Sequence, residues 1–222
     1  MSRRRQRRSL LKRAVIALVA LPFVLTLVYA VVPPVSTLML ARWITLRPVE
    51  RDWVPLEKIS PALKRAVVTA EDARFCSHNG VDWNALGDVI AAGPTRGAST
   101  LTMQVAKNLY LWQGAGWVRK PIEIVLALWV DLVLTKHRIL EIYLNIVEWG
   151  PDGVFGAEAA ARRAYHKSAA SLSSGQAATM AAALPNPIGR DLRRASSARS
   201  RWAATVAARM RHGGADLSCV SG

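Results

Sequence analysis

The sequence predicts a mainly α protein in which one amino-terminal transmembrane helix carries a single helical domain. Three observations lead there. No charged residue falls between Arg13 and Arg42. Beyond that stretch, segments with helical apolar spacing open on capping residues and close on glycine or proline, and strand signals are scarce. With 51% hydrophobic and 20% charged residues in a chain of 222, there is enough apolar surface for one buried core and too much for disorder.

Residues 1–13 form a basic tail, in which Arg3, Arg4, Arg5, Arg7, Arg8, Lys12 and Arg13 supply seven of the thirty cations. Residues 14–32 (AVIALVALPFVLTLVYAVV) are interrupted only by Pro22, Thr26 and Tyr29. At about 1.5 Å per residue they nearly cross roughly 30 Å of hydrocarbon. The cations before them orient the span by the positive-inside rule, with the amino terminus cytoplasmic and the rest of the chain outside. A cleaved signal peptide is the competing reading, because Val28-Tyr29-Ala30 ends in a small residue. Against it, the apolar stretch exceeds the roughly 7–15 residues of a signal core. Orientation and lipid headgroups account for the cations, so no nucleic-acid partner is expected.

Residues 33–52 read as a juxtamembrane connection, 53–212 as the working domain and 213–222 as a tail. Ser60-Pro61 opens the first domain helix, with Leu63, Ala66, Val67 and Ala70 at helical spacing, and it runs into Glu71. A second helix is expected from Ser99 or Thr100 to about Leu109. A third starts at Lys120-Pro121 and runs to Leu134 as a buried central helix, too short to span a membrane. Thr135 caps a fourth, KHRILEIYLNIV, which Gly150 ends. Later helices cover Phe155–Tyr165, Ser174–Leu184 and Ser197–Arg211, the last two stopped by Pro185 and by Gly213-Gly214.

Two carboxylates stand out. Glu71 lies eight residues after Leu63 and four after Val67, so it continues the apolar face of its helix. Desolvation there raises a carboxyl toward general acid or base duty, although Glu71 or Asp72 paired with Arg74 or His78 at a helix end is an equally simple reading. Glu123, two residues after Pro121, reads as a first-turn acid, and Arg119 and Lys120 precede it. Cations at the positive end of a helix suit a phosphate or pyrophosphate. Lys107 adds a third cation on a helix that Ser99 and Thr100 open with hydroxyls, whereas a lone helical lysine is ordinarily a solvated surface residue.

Taken together and in order, these segments resemble the peptidoglycan glycosyltransferases of glycosyltransferase family 51, and more closely the monofunctional biosynthetic type. The first motif of that family is complete in Glu71, Asp72, Phe75, His78 and Gly80. The second is present as Gly97, Ser99, Thr100, Gln104, Lys107 and Asn108, and the third as Arg119, Lys120 and Glu123. The fourth is Lys136, Ile139, Leu140, Glu141, Tyr143, Leu144 and Asn145, followed by Gly153 to Gly156 and Glu158. An Ala-rich helix ending in Leu184-Pro185-Asn186-Pro187 is the fifth. Resemblance covers about Trp53 to Arg211. Two positions depart from the pattern: Met103 stands where a glutamine is usual and Gln176 where a glutamate is common.

The resemblance implies a lysozyme-like glycosyltransferase domain that polymerises lipid II into β-1,4-linked glycan, with inversion and release of undecaprenyl pyrophosphate. By position, Glu71 would be the general base. Lys107, Arg119 and Lys120 would hold the pyrophosphate, and Ser99, Thr100, Gln104 and Asn108 would line the cleft. Asp72 and His78 would support Glu71. Glu123 would orient the cations, position the acceptor, or hold a Mg²⁺ or Mn²⁺ bridging the pyrophosphate, and no organic cofactor is expected. The implied partners are lipid II, the growing glycan strand, membrane lipids and other cell-wall synthesis proteins, at the bacterial inner membrane with a periplasmic domain. Leu109 to Trp112 and Trp117 are candidates for an apolar collar at the membrane surface, with core packing as the alternative.

A lytic enzyme would have no pyrophosphate to bind and leaves the three cations unexplained. A basic membrane-bound scaffold, suggested by the seven arginines from Arg190 to Arg211, does not need Glu71 or Glu123. The only Ser-x-x-Lys, Ser9 to Lys12, lies in the basic tail, so no transpeptidase activity is expected. Two cysteines argue against a disulfide scaffold or a four-cysteine zinc site. Cys76 reads most plainly as a small residue near the cleft wall, with a bond to Cys219 the alternative.

Overall fold

The computed structural model describes residues 2–92, 99–114 and 116–220, and the side chains of 2–5, 92 and 117 lie outside that description. Gly97 and the Trp117 side chain are therefore not placed.

Helix α1 runs over Ser2–Tyr29. Residues Gln6–Tyr29 of it are long and apolar enough to cross a membrane. The basic residues thus continue the same helix, and Ala30 to Val32, expected as the end of the span, form a turn. Proline follows at positions 33 and 34, and the residue before a proline is driven out of the helical region.

The expected connection 33–52 carries structure of its own. Ser36 caps α2 (Thr37–Ile44), whose Met39 is fully buried in the core. Three short strands, none of them expected, pair with one another: β1 (Glu50–Arg51) lies parallel to β3 (Val154–Phe155), and β2 (Glu148–Gly150) antiparallel to it. Strands this short leave no alternation to detect.

Ser60 caps α3 (Pro61–Glu71), Thr100 caps α5 (Leu101–Tyr110) and Thr135 caps α7 (Lys136–Ile146), each accepting a backbone N–H three residues on. Helix α4 (Trp83–Ala92) was not expected, although Asp82 accepts the N–H of Ala85 at its start. Helix α6 (Gly116–Val133) begins four residues before Lys120, with Pro121 inside it. A proline that early removes one ladder bond without ending the helix. Then follow α8 (Ala157–Tyr165), α9 (Ser174–Ala183) and α10 (Ser197–Arg211).

The buried central helix is α7, in which every residue from Ile139 to Ile146 is buried. Its Glu141 accepts the Leu56 N–H at 3.1 Å, and the Asn145 amide both accepts from and donates to the Val54 backbone at 2.9 Å. These bonds clamp the chain before α3 onto α7. Against expectation, α6 buries only one side, through Leu126, Ala127 and Val130, with Leu134 just past its end. Val118, Ile122, Val125, Leu128 and Leu132 face outward. The small side chains of Ala177, Ala178, Ala181 and Ala182 let α9 sit close between α3 and α10.

A disulfide joins Cys76 to Cys219, with Cα atoms 5.5 Å apart, so Cys76 is not the free small residue expected. The tail it holds is also pinned by the Ala215 N–H on Thr69 Oγ1. The arginines from Arg190 to Arg211 are not all surface charge either. Arg199 is buried, donating to the backbone oxygens of Arg190 and Asp191.

Candidate active site

The first motif occupies the end of α3 and the loop after it. Asp72, buried, accepts the Leu101 N–H at 2.9 Å and faces His78 Nε2 at 3.0 Å. It therefore ties the end of α3 to the start of α5 and to the His78 loop. The His78 carbonyl accepts from Lys136 Nζ at 2.7 Å, and the same ammonium pairs with Asp131 and lies over the Phe75 ring. Gly80 has φ +78°, and a Cβ there would come within 2.7 Å of the Ala127 carbonyl oxygen. Only glycine meets both demands.

Glu71 is the last residue of α3, half-buried beside an opening of about 200 Å³ that Asp72, Arg74, Ser99 and Thr100 also line. Gln104 Nε2 donates to its Oε2 at 2.9 Å, and the buried Tyr143 hydroxyl donates to Gln104 Oε1 at 3.1 Å. That second bond holds the amide with its N–H toward the carboxylate. Burial pushes the Glu71 carboxyl above its ordinary range, and the Gln104 bond and the charges of Lys107 and Arg190 pull part of the way back. Neither Tyr143 nor Arg190 was among the expected site residues. Tyr143 lies within the fourth motif, but Arg190 has no local signal and reaches Glu71 through the fold alone.

Helix α5 presents Gln104, Lys107 and Asn108 at i, i+3 and i+4, and buries Leu101, Thr102, Met103, Val105, Ala106 and Leu109. Among the described residues, the Lys107 ammonium makes no hydrogen bond or ion pair. Burial lowers its pKa first; Glu123 opposes this, while Arg119 and Lys120 add to the lowering and Glu71 again opposes it. Lys107 thus feels both halves of the site. Asn108 turns to Gln113, at 3.5 Å.

Glu123 is buried within α6, two turns from its start, so it is an ion-pair hub rather than the first-turn acid expected. Arg119 Nη1 pairs with its Oε2, and Lys120 Nζ with its Oε1 at 2.9 Å. Lys120 also donates to Ser99 Oγ at 2.6 Å, joining α6 to the entrance of α5. Thr100 lines the opening beside Glu71 and has a second task as well. Its buried hydroxyl donates to the Gly80 carbonyl and accepts the Met103 N–H, so it serves the scaffold. Both oxygens of Glu123 are engaged by cations. No three His, Cys, Asp or Glu residues gather into a metal site among the described residues.

The half-buried Glu71 carboxylate and the cluster of Lys107, Arg119, Lys120 and Glu123 lie within the stretch, residues 39–211, that a transglycosylase family profile matches. The chain belongs to the transglycosylase family. It is a glycosyltransferase enzyme with the lysozyme-like glycosyltransferase fold. Proteins named biosynthetic peptidoglycan transglycosylase are similar to it along nearly their whole length. That of Rhodopseudomonas palustris is 56% identical over 200 residues, 88% of this chain and 85% of the relative. That of Brucella suis is 49% identical over 214 residues (94% and 95%), and that of Agrobacterium fabrum 47% over 222 residues (96% and 98%).

Both departures from the family pattern have a structural account in this transglycosylase. Met103 is fully buried and fills the core beneath α5. Gln176 closes a capping box with Ser173, a task that glutamine and glutamate perform alike. The collar candidates divide: Leu109 and Leu111 are core, Tyr110 packs on α1, and Trp112 is exposed.

Proposed function

We propose that this chain is a peptidoglycan glycosyltransferase that polymerises lipid II, with Glu71 as general base and Lys107, Arg119 and Lys120 as the pyrophosphate site. The Glu71 carboxylate takes the proton of the acceptor 4-hydroxyl as that oxygen bonds to the anomeric carbon of the donor chain. The bond from that carbon to pyrophosphate breaks in the same displacement, so its configuration inverts. Undecaprenyl pyrophosphate leaves with the electron pair, and its charge is met by cations rather than by an acid. Glu123 holds Arg119 and Lys120 in place for it. The product is a β-1,4-linked strand, and no residue is assigned to transpeptidation. On this reading α1 anchors the enzyme in the inner membrane, amino terminus inside, with the domain in the periplasm beside other wall-synthesis proteins.

Lys107 carries the proposal. A desolvated ammonium without a counter-ion of its own, under the influence of Glu71 on one side and the Arg119–Lys120–Glu123 cluster on the other, calls for an anionic substrate group between them. The test is polymerisation of lipid II by detergent-purified protein, compared with Glu71→Gln and Lys107→Ala, and digestion of the product by a muramidase. Glycan from the native protein, with a loss of about 10²–10⁴-fold in Glu71→Gln, is the expected result. Absence of glycan from folded native protein would overturn the assignment.

A further inference from the structure

The domain grips α1 at two levels. Deeper along the helix, the Phe23 and Trp129 rings meet edge to face at 5.5 Å, and Trp129 Nε1 donates to the Phe23 carbonyl at 3.3 Å. One turn on, the buried Thr26 hydroxyl meets the Tyr110 hydroxyl at 2.8 Å. At the exit, Arg138 Nε donates to the Tyr29 carbonyl and Nη2 to the Val32 carbonyl, both at 2.9 Å. Phe23 and Tyr29 are about 9 Å apart along the helix axis.

Arg138 is built into the domain on its other side. Its Nη1 pairs with Glu141, the residue that also accepts the Leu56 N–H, and its guanidinium lies 5.3 Å over the Trp53 ring. Arg51 lies over the same ring at 5.6 Å and donates to the Pro34 carbonyl. The last carbonyls of a helix have no intrahelical partner, and a guanidinium, with five donors in a fixed fork, can hold the Tyr29 carbonyl at the helix end, the Val32 carbonyl of the turn after it and a carboxylate at once. Five residues further along α7 stands Tyr143, whose hydroxyl orients Gln104 on Glu71. One buried helix therefore bears both the grip on the membrane span and the support of the base.

We propose that Arg138 is a positioning residue that locks the exit of α1 to α7, and so fixes the height and tilt of the catalytic cleft above the bilayer. The clamp matters for a substrate that cannot leave the membrane, and to that extent the inference rests on the lipid-borne substrate proposed above. A pyrophosphate held at the depth of the headgroups meets Lys107, Arg119 and Lys120 only if the domain is held at a matching height. Without the Arg138 bonds, α1 would tether the domain without aiming it.

The test uses the full chain in lipid vesicles and reads two things. Nitroxide labels at Val19 in α1 and Arg201 in α10 report the distance distribution between span and domain. It is expected to be narrow in the native protein and broad in Arg138→Ala. In parallel, kcat/KM is measured on lipid II in the bilayer and on a short-tailed, water-soluble analogue. Arg138→Ala is expected to lose about ten- to a hundredfold on the bilayer substrate, the scale of a misplaced reactant, and to keep the native value on the soluble one. An unchanged distance distribution, or equal losses on both substrates in step with a lowered Tm, would overturn the clamp. Should Arg138→Ala fail to fold, Arg138→Lys, which keeps the charge but cannot span both carbonyls, carries the same readouts. If native protein polymerises neither substrate, the substrate assignment fails while the distance measurement still decides the clamp.

Discussion

Glu71 is pulled in two directions, and with Glu71 as the proposed base the balance is expected to set the pH range of activity. Burial raises its pKa, while the Gln104 N–H and the nearby cations favour its charged form. A general base acts only when deprotonated, so kcat/KM should rise with pH through a value above the ordinary carboxylate range. Removing the Gln104 donor takes away a contribution that lowers the pKa. In Gln104→Leu the acid limb of the pH–rate profile is therefore expected to move to higher pH, with a smaller change in the plateau. A limb at the native position, or one displaced to lower pH, would show that the bond does not hold the ionised form. At this scale, residue spacing made the face of α5 legible, since Gln104, Lys107 and Asn108 follow the helical period. The approach of Arg190 was not, because it joins segments distant in sequence; the pairing of Glu123 with Arg119 and Lys120, four and three residues before it, is local and was hidden by starting the helix at Lys120.

Elements show the same division between local and distant causes. Helix starts marked by Ser60, Thr100 and Thr135 were readable because a side-chain cap is a three-residue event. The start of α6 was misjudged because Pro121 is equally acceptable as a first residue and as an early interior one. Short strands β1 to β3 exist because Asn145 and the turn at Gly153 bring them together, and neither acts locally. A Cβ on Gly153 would lie 2.2 Å from the Pro48 carbonyl oxygen at φ +79°, so that turn admits only glycine. The Cys76–Cys219 bond belongs to this scale as well, since it fastens the terminal segment to the loop after α3 across 143 residues. Closing so long a loop restricts the unfolded chain, and replacing both cysteines by serine should lower stability by about 2–4 kcal/mol. Thermal unfolding with and without reductant measures it. Reductant should lower the native Tm and leave that of the double variant unchanged.

At the scale of the whole molecule, the outward face of α6 sets where the domain stands. Trp129 touches Phe23, six residues before α1 ends, so this part of α6 shares a depth with the membrane-crossing segment. Val118, Ile122, Val125, Leu128 and Leu132 recur at helical spacing on the open side, with Val125 57% and Leu132 78% exposed. In water such a stripe forgoes burial worth about 25 cal/mol per Å², whereas against acyl chains it loses nothing. With α1 as the membrane anchor proposed above, the domain is expected to rest on the bilayer through α6 as well, with its cleft residues on α5 and α6 close to the headgroups. Nitroxide labels placed at Val125 and Leu132 of the full chain in vesicles are expected to collide more with oxygen, which concentrates in lipid, than with a water-soluble nickel chelate. A label at the exposed Ser174, at the start of α9, should show the reverse. If Val125 and Leu132 favour the chelate, α6 stands clear of the membrane, and the Arg138 clamp would then hold the cleft above the headgroup layer rather than at it.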